Sequence, residues 1–173
     1  YPDLVKEVVR AVSSPRIAEV LRLLAEEEVC LRNLRDVLEA IADIGQSERN
    51  AVPIADRTRV ALRRYIAAPH MADGRFPVLV VGGRLERFFR ANLQTVAGVA
   101  HPAMPPDQAR TLIGMIRNET AKCGARAIVT AYDLRRPLRQ LTTGDLFGLP
   151  ILCYNELTPA LPLDVVGPPA RTP

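Results

Sequence analysis

The spacing of apolar residues changes character once along the chain, and that change limits the fold classes open to it. Before residue 68 they recur every three or four positions, as Leu4, Val5, Val8, Val9 and Val12 and again as Leu34, Val37, Leu38 and Ile41. That is the period of helices burying one stripe. From Phe76 onward, continuous apolar runs at 76–81, 127–130, 151–154 and 163–166 alternate with amphipathic stretches, a pattern that suits parallel strands covered on both faces. The chain is therefore expected to be mixed α/β. An all-helical subdomain over 1–68 precedes an α/β sandwich over 69–173 with a short parallel or mixed sheet. The boundary falls at 67–75, where Pro69 and Gly74 interrupt both periods.

Within the first part, Ser14 is expected to cap a helix with Pro15 at its first position, where a missing N–H costs nothing. That helix ends in Glu26, Glu27 and Glu28. Three acids there oppose the helix dipole, so either arginines of the same chain or a neighbouring subunit should compensate them. Val29-Cys30-Leu31 then crosses to a helix whose start, Asn33 with Asp36, has the pattern of a capping box. Arg32 and Arg35 fall outside the apolar stripe and are free to meet a partner. A fourth helix is expected from Pro53 through Ile66, with Arg57, Arg59, Arg63 and Arg64 as a solvated flank. In the second part, helices are expected after Gly82-Gly83, over 107–122 and over 134–141, with a proline-rich link at 101–106 and a disordered end from Pro168. On the 134–141 helix, Arg135, Arg136 and Arg139 have no acid among them. They read as a solvated face or as a docking site.

Basic and acidic residues balance over 1–68, so the net charge of +4 belongs to the second part. The few aromatic residues do not interleave with the basic ones, which argues against nucleic acid as a partner. Cys30, Cys123 and Cys153 lack metal-ligand spacing and read as buried thiols in a reducing compartment. No histidine, carboxylate or nucleophile pattern forms a catalytic set. No cofactor or metal is expected. A strand, the Gly82-Gly83 turn and a helix leave a rival reading open, a small α/β nucleotide-binding or enzymatic domain with a helical accessory unit. No apolar stretch approaches the roughly 20 residues that span a bilayer.

The run Val20-Leu21-x-Leu23-Leu24-x-Glu26-x-x-Val29-x-Leu31-Arg32-Asn33-Leu34-Arg35-x-Val37-Leu38-Glu39-Ala40 resembles a signature of the large export-gate protein of type III secretion systems and flagella, the FlhA/SctV (FHIPEP) family. The segments 125–131, Arg135-Arg136 and 149–157 are similar to that family's C-terminal strand, arginine-rich helix and Leu-Pro-x-Leu-x-Tyr-x-Glu-Leu stretch. The resemblance implies a non-enzymatic docking platform at the cytoplasmic face of the bacterial inner membrane, with any membrane-spanning region upstream. It implies a nonameric ring of identical chains that receives secretion chaperones and exported substrates and contacts the ATPase stalk and gatekeeper proteins. A ring contact is expected to join an Arg32/Arg35/Asp36 face to acids near Glu26, Glu27 and Glu28.

Overall fold

The computed structural model describes residues 1–167, and the segment 168–173, expected to be disordered, lies outside them. The chain divides into two compact units, Tyr1–Pro69 and the part from His70 onward.

The first unit is helical: α1 (Pro2–Ala11), α2 (Ser14–Glu26), α3 (Leu34–Gly45), α4 (Ala51–Ala61) and the short α5 (Arg63–Ala67). Val8, Val12, Val20, Leu24, Val37, Ile41, Ile54 and Leu62 fill its core, the residues that the helical period selects. Helix α1 packs on α3, and Gly45 makes that approach possible. A Cβ built on Gly45 would lie 2.1 Å from Val12 Cγ2.

The C-terminus of α2 closes with the Val29 N–H donating to Leu24 O at 3.0 Å and the Glu28 N–H to Ala25 O at 3.0 Å. These two bonds define a Schellman motif. Its left-handed position is occupied by Glu28, with φ 57°, where glycine would be unstrained. Ser13 rather than Ser14 precedes α2, and neither it nor Asn33 makes a side-chain cap bond, so the expected capping box does not form. Helix α4 starts two residues before Pro53 and stops at Leu62, where φ −87° and ψ 9° break the run. The expected single fourth helix is thus two.

The second unit holds β1 (Phe76–Val80), α6 (Gly83–Ala91), β2 (Leu93–Val96), β3 (Val99–Pro102), α7 (Pro106–Cys123), β4 (Ala127–Thr130), α8 (Tyr132–Thr142), β5 (Ile151–Cys153) and β6 (Leu163–Val165). Strands β5-β4-β1-β6 form one sheet in that order, every pair parallel. β4 and β5 are buried along their whole length, as continuous apolar runs require. Val81, Leu85, Phe89, Leu112, Ile116, Ile128, Leu134, Leu138 and Ile151 form one core cluster. Gly124 ends α7 at φ 68°. The hairpin β2–β3 replaces part of the expected proline-rich link, and His101 sits on β3 opposite Gln94.

Candidate functional site

The α2–α3 turn brings the predicted residues together on one face of the helical unit. Cys30, Arg32, Asn33, Leu34 and Arg35 are exposed in succession, although sequence patterning assigns Cys30 and Leu34 to the interior. Leu34 is 46% exposed. Arg35 is only partly open: its Nε donates to Glu39 Oε1 at 2.8 Å, and its guanidinium stacks 5.7 Å from the Tyr1 ring centroid. The Glu39 carboxylate raises the Arg35 pKa, first through that bond and then through its charge. Asp36 accepts a hydrogen bond from the Tyr65 hydroxyl instead of capping α3. Arg32 makes no side-chain hydrogen bond or ion pair among the described residues.

The three acids at the end of α2 have different fates. Glu26 pairs with Arg22 at 3.6 Å in solvent, which is worth little. Glu27 meets Arg59 at 3.1 Å, with the two side chains only 10% and 3% exposed. Arg59 thus leaves the solvated flank expected for it: Glu27 draws it inward. Glu28 is exposed.

Beside this turn a groove of about 520 Å³ runs between α3 and the end of α4 with α5. Asp36, Glu39 and Asp43 line one side, Arg63, Arg64 and Tyr65 the other, and Ala40, Ala61 and Leu62 are the apolar residues between them. Spacing along α3 makes the acidic row legible, since positions 36, 39, 40 and 43 share a helix face. The opposite wall depends on the break at Leu62.

Arg135, Arg136 and Arg139 correct the surface placement expected for them. They are 1%, 9% and 6% exposed. Arg139 Nη1 donates to Phe147 O at 3.0 Å and Leu149 O at 3.3 Å, and its guanidinium lies 5.4 Å from the Phe147 ring centroid. A guanidinium carries five donors and no acceptor, so it can gather loop carbonyls that aliphatic side chains would leave unsatisfied. Arg139 therefore secures the segment after α8 and presents no charge to a partner.

At the carboxyl ends of the parallel strands, Glu86 Oε1 accepts the Thr130 hydroxyl at 3.2 Å and the Ala131 N–H at 2.9 Å. A carboxylate thus already occupies the start of α8, where an anionic ligand would otherwise bind. Gly82 has an ordinary φ of −71°, and a Cβ on Gly83 would meet only the end of Arg87 at 3.7 Å. Gly82 is not required by its backbone conformation and Gly83 is not required by crowding, which weakens the main support for a phosphate cradle. Glu156 is buried and accepts the Cys153 N–H at 2.7 Å. It closes the turn after β5, while Asn155 and Tyr154 remain exposed.

Cys30 is exposed, Cys123 half-buried and Cys153 buried. Burial, then the Glu156 charge, pushes the Cys153 thiol up to about 12 from an ordinary 9.0. At pH 8 a maleimide is expected to label Cys30 readily and Cys153 only after unfolding, as mass spectrometry of quenched samples would show. The sign for stability follows. Since the folded thiol holds its proton more tightly, the contribution is intact below about pH 9 and is lost as pH rises toward 12.

No helix among the described residues is long and apolar enough to cross a membrane, and among them no group of His, Cys, Asp or Glu could hold a metal ion. Residues 1–162 match the FHIPEP family. The chain is 29% identical to the low calcium response locus protein D of Yersinia pestis, across 96% of itself and 24% of that protein. It is similar in structure to the nonameric EPEC SctV-C, with a TM-score of 0.86 and 27% identity over 96% of this chain and 52% of that one. The nonameric EscV cytosolic domain from the type III secretion system gives a TM-score of 0.81 and 28% identity over 96% and 51%. The chain thus spans about a quarter of the curated relative and about half of each solved domain.

Proposed function

The chain belongs to the FHIPEP family, and from that premise we propose that it forms part of the cytoplasmic docking platform of a type III secretion export gate. In this reading it is a non-catalytic surface that assembles with copies of itself and receives secretion chaperones with their substrates, at the cytoplasmic face of the inner membrane. Contacts with the ATPase stalk and gatekeeper proteins belong to the same role. One observation carries the proposal. The Arg32–Arg35 run, part of the stretch that resembles the family, is exposed at the α2–α3 turn, and Arg32, Asn33 and Leu34 make no side-chain hydrogen bond among the described residues, so these side chains do little for the chain's own fold. An exposed leucine flanked by a guanidinium and a carboxamide, with Glu28 beside them, has the composition of a protein contact.

The test replaces Arg32 with Glu in the full-length protein of the native host. Export of substrates is expected to fall about tenfold, the effect of losing roughly 1.4 kcal/mol of docking energy, while the thermal midpoint of the purified protein stays unchanged. Export at the parental level would remove this turn from the platform.

A further inference from the structure

A ring of identical chains needs two unlike surfaces that face different ways on one protomer. Glu26, Glu28 and Arg32 lie on a single turn and supply one. We infer that the contact between copies is made elsewhere, by helix α1 of one chain seated in the α3–α5 groove of the next. This inference rests on the self-assembling platform proposed above.

Helix α1 exposes more apolar surface than a solvated helix needs. Val5 and Val9 are 49% and 47% exposed, and Tyr1 is 73% exposed. They stand four residues apart and so form one ridge along the helix. Lys6 and Arg10 each follow a ridge valine by one position and form a parallel basic row, both exposed. The Arg10 side chain makes no hydrogen bond or ion pair among the described residues.

The groove has the complementary form. Ala40, Ala61 and Leu62 offer an apolar floor, and Asp36, Glu39 and Asp43 form an acidic wall. The Asp43 side chain makes no hydrogen bond or ion pair among the described residues, and neither do those of Arg63 and Arg64 on the opposite wall. With the valine ridge on the floor, Lys6 and Arg10 lie against the acids. The helix cannot lie the other way round without setting its cations against Arg63 and Arg64. Opposed like charges are costly, so the charges select orientation as well as partner.

Placement within one chain supports a head-to-tail contact. The chain's own α1 meets α3 at Gly45. Gly45 lies about half a turn of helix from the Asp36, Ala40 and Asp43 row, at 3.6 residues per turn. The C-terminal end of α1 therefore lies across α3 from that row, and the Val5–Val9 ridge cannot fill its own chain's groove; Tyr1 alone reaches the groove's edge, over Arg35. A second copy can.

The test mixes two single-site variants of the full chain in a Cys30→Ser background, one with Val9→Cys and one with Ala40→Cys, and treats them with a short bismaleimide. A cross-link joining the two different variants, absent from the Cys30→Ser parent, is expected. Cross-links only between like variants, or none above the parent at millimolar protein, would overturn the contact. A charge exchange gives an independent reading by sedimentation. Arg10→Glu and Asp43→Arg are each expected to weaken self-association about tenfold, and combining them to restore it. Both positions are exposed and make no side-chain bond, so circular dichroism should be unchanged. Single variants that associate like the parent, or a double variant no better than either, would also overturn the contact. Failure of these assays with intact export removes this contact alone. Cross-linking by a chain in which Arg32→Glu leaves export intact removes the docking turn alone.

Discussion

Arg59→Ala is expected to destabilise the helical unit by about 3–5 kcal/mol, the cost of removing one partner from a buried ion pair. Arg59 and Glu27 meet at 3.1 Å almost out of solvent. Truncating the arginine therefore removes the guanidinium that balances a carboxylate held at the C-terminal end of α2, where the helix dipole already disfavours negative charge. The double variant Arg59→Met with Glu27→Leu is expected to lie close to the parent, because it removes both desolvated charges and leaves apolar groups of similar volume. Urea denaturation of the parent, Arg59→Met, Glu27→Leu and the double variant, compared at their midpoints, measures the coupling directly. The outcome also decides what Glu27 is for. Were Arg59→Ala to cost less than about 1 kcal/mol while abolishing self-association, Glu27 would belong to a contact between copies.

The sequence shows much of this architecture because the relevant signals are local. A continuous run such as 127–130 marks a covered strand whatever its neighbours, and Gly124 marks a helix end wherever it falls. The four parallel strands and the helices between them follow from such signals. The arginines do not. Arg135 and Arg139 read as surface residues because the 134–141 stretch that carries them contains no acid. What draws Arg139 inward is a pair of carbonyls at Phe147 and Leu149, and Arg59 is drawn in by a carboxylate 32 positions earlier. Hydrogen-bond acceptors on the backbone leave no compositional trace. The hairpin β2–β3 is illegible for another reason: its strands have four residues each and are largely exposed or half-buried, so no apolar alternation announces them. At the candidate site, the Arg32–Arg35 turn was readable from spacing. The groove was not, because its second wall exists only where α4 stops at Leu62.

Gly45→Ala tests how the α1 ridge is held. The added methyl would fall 2.1 Å from Val12 Cγ2, far inside van der Waals contact. Val12 is itself buried and has no flexible end to swing away. Either α1 must lift from α3 or Val12 must leave its rotamer, and overpacking of this kind costs about 1–3 kcal/mol. Glycine is otherwise a poor helix residue, and replacing it with alanine in an unobstructed helix would stabilise by about 0.5–1 kcal/mol. The sign of the change is therefore diagnostic: a lower thermal midpoint places the methyl in the α1 contact, and a higher one shows that α1 does not pack there. The compensating variant sharpens the test. Val12→Ala removes Cγ2 and leaves Val12 Cβ 3.6 Å away, an ordinary contact, so Gly45→Ala should be tolerated in that background and should recover part of the stability lost by truncating Val12. Self-association should follow the same pattern. If α1 is the element that seats in a neighbouring groove, Gly45→Ala should weaken association by displacing the ridge without touching a single ridge or groove side chain, and Val12→Ala should restore it. Association that ignores Gly45→Ala while the thermal midpoint falls would separate the packing of α1 from assembly and place the contact between copies on another face.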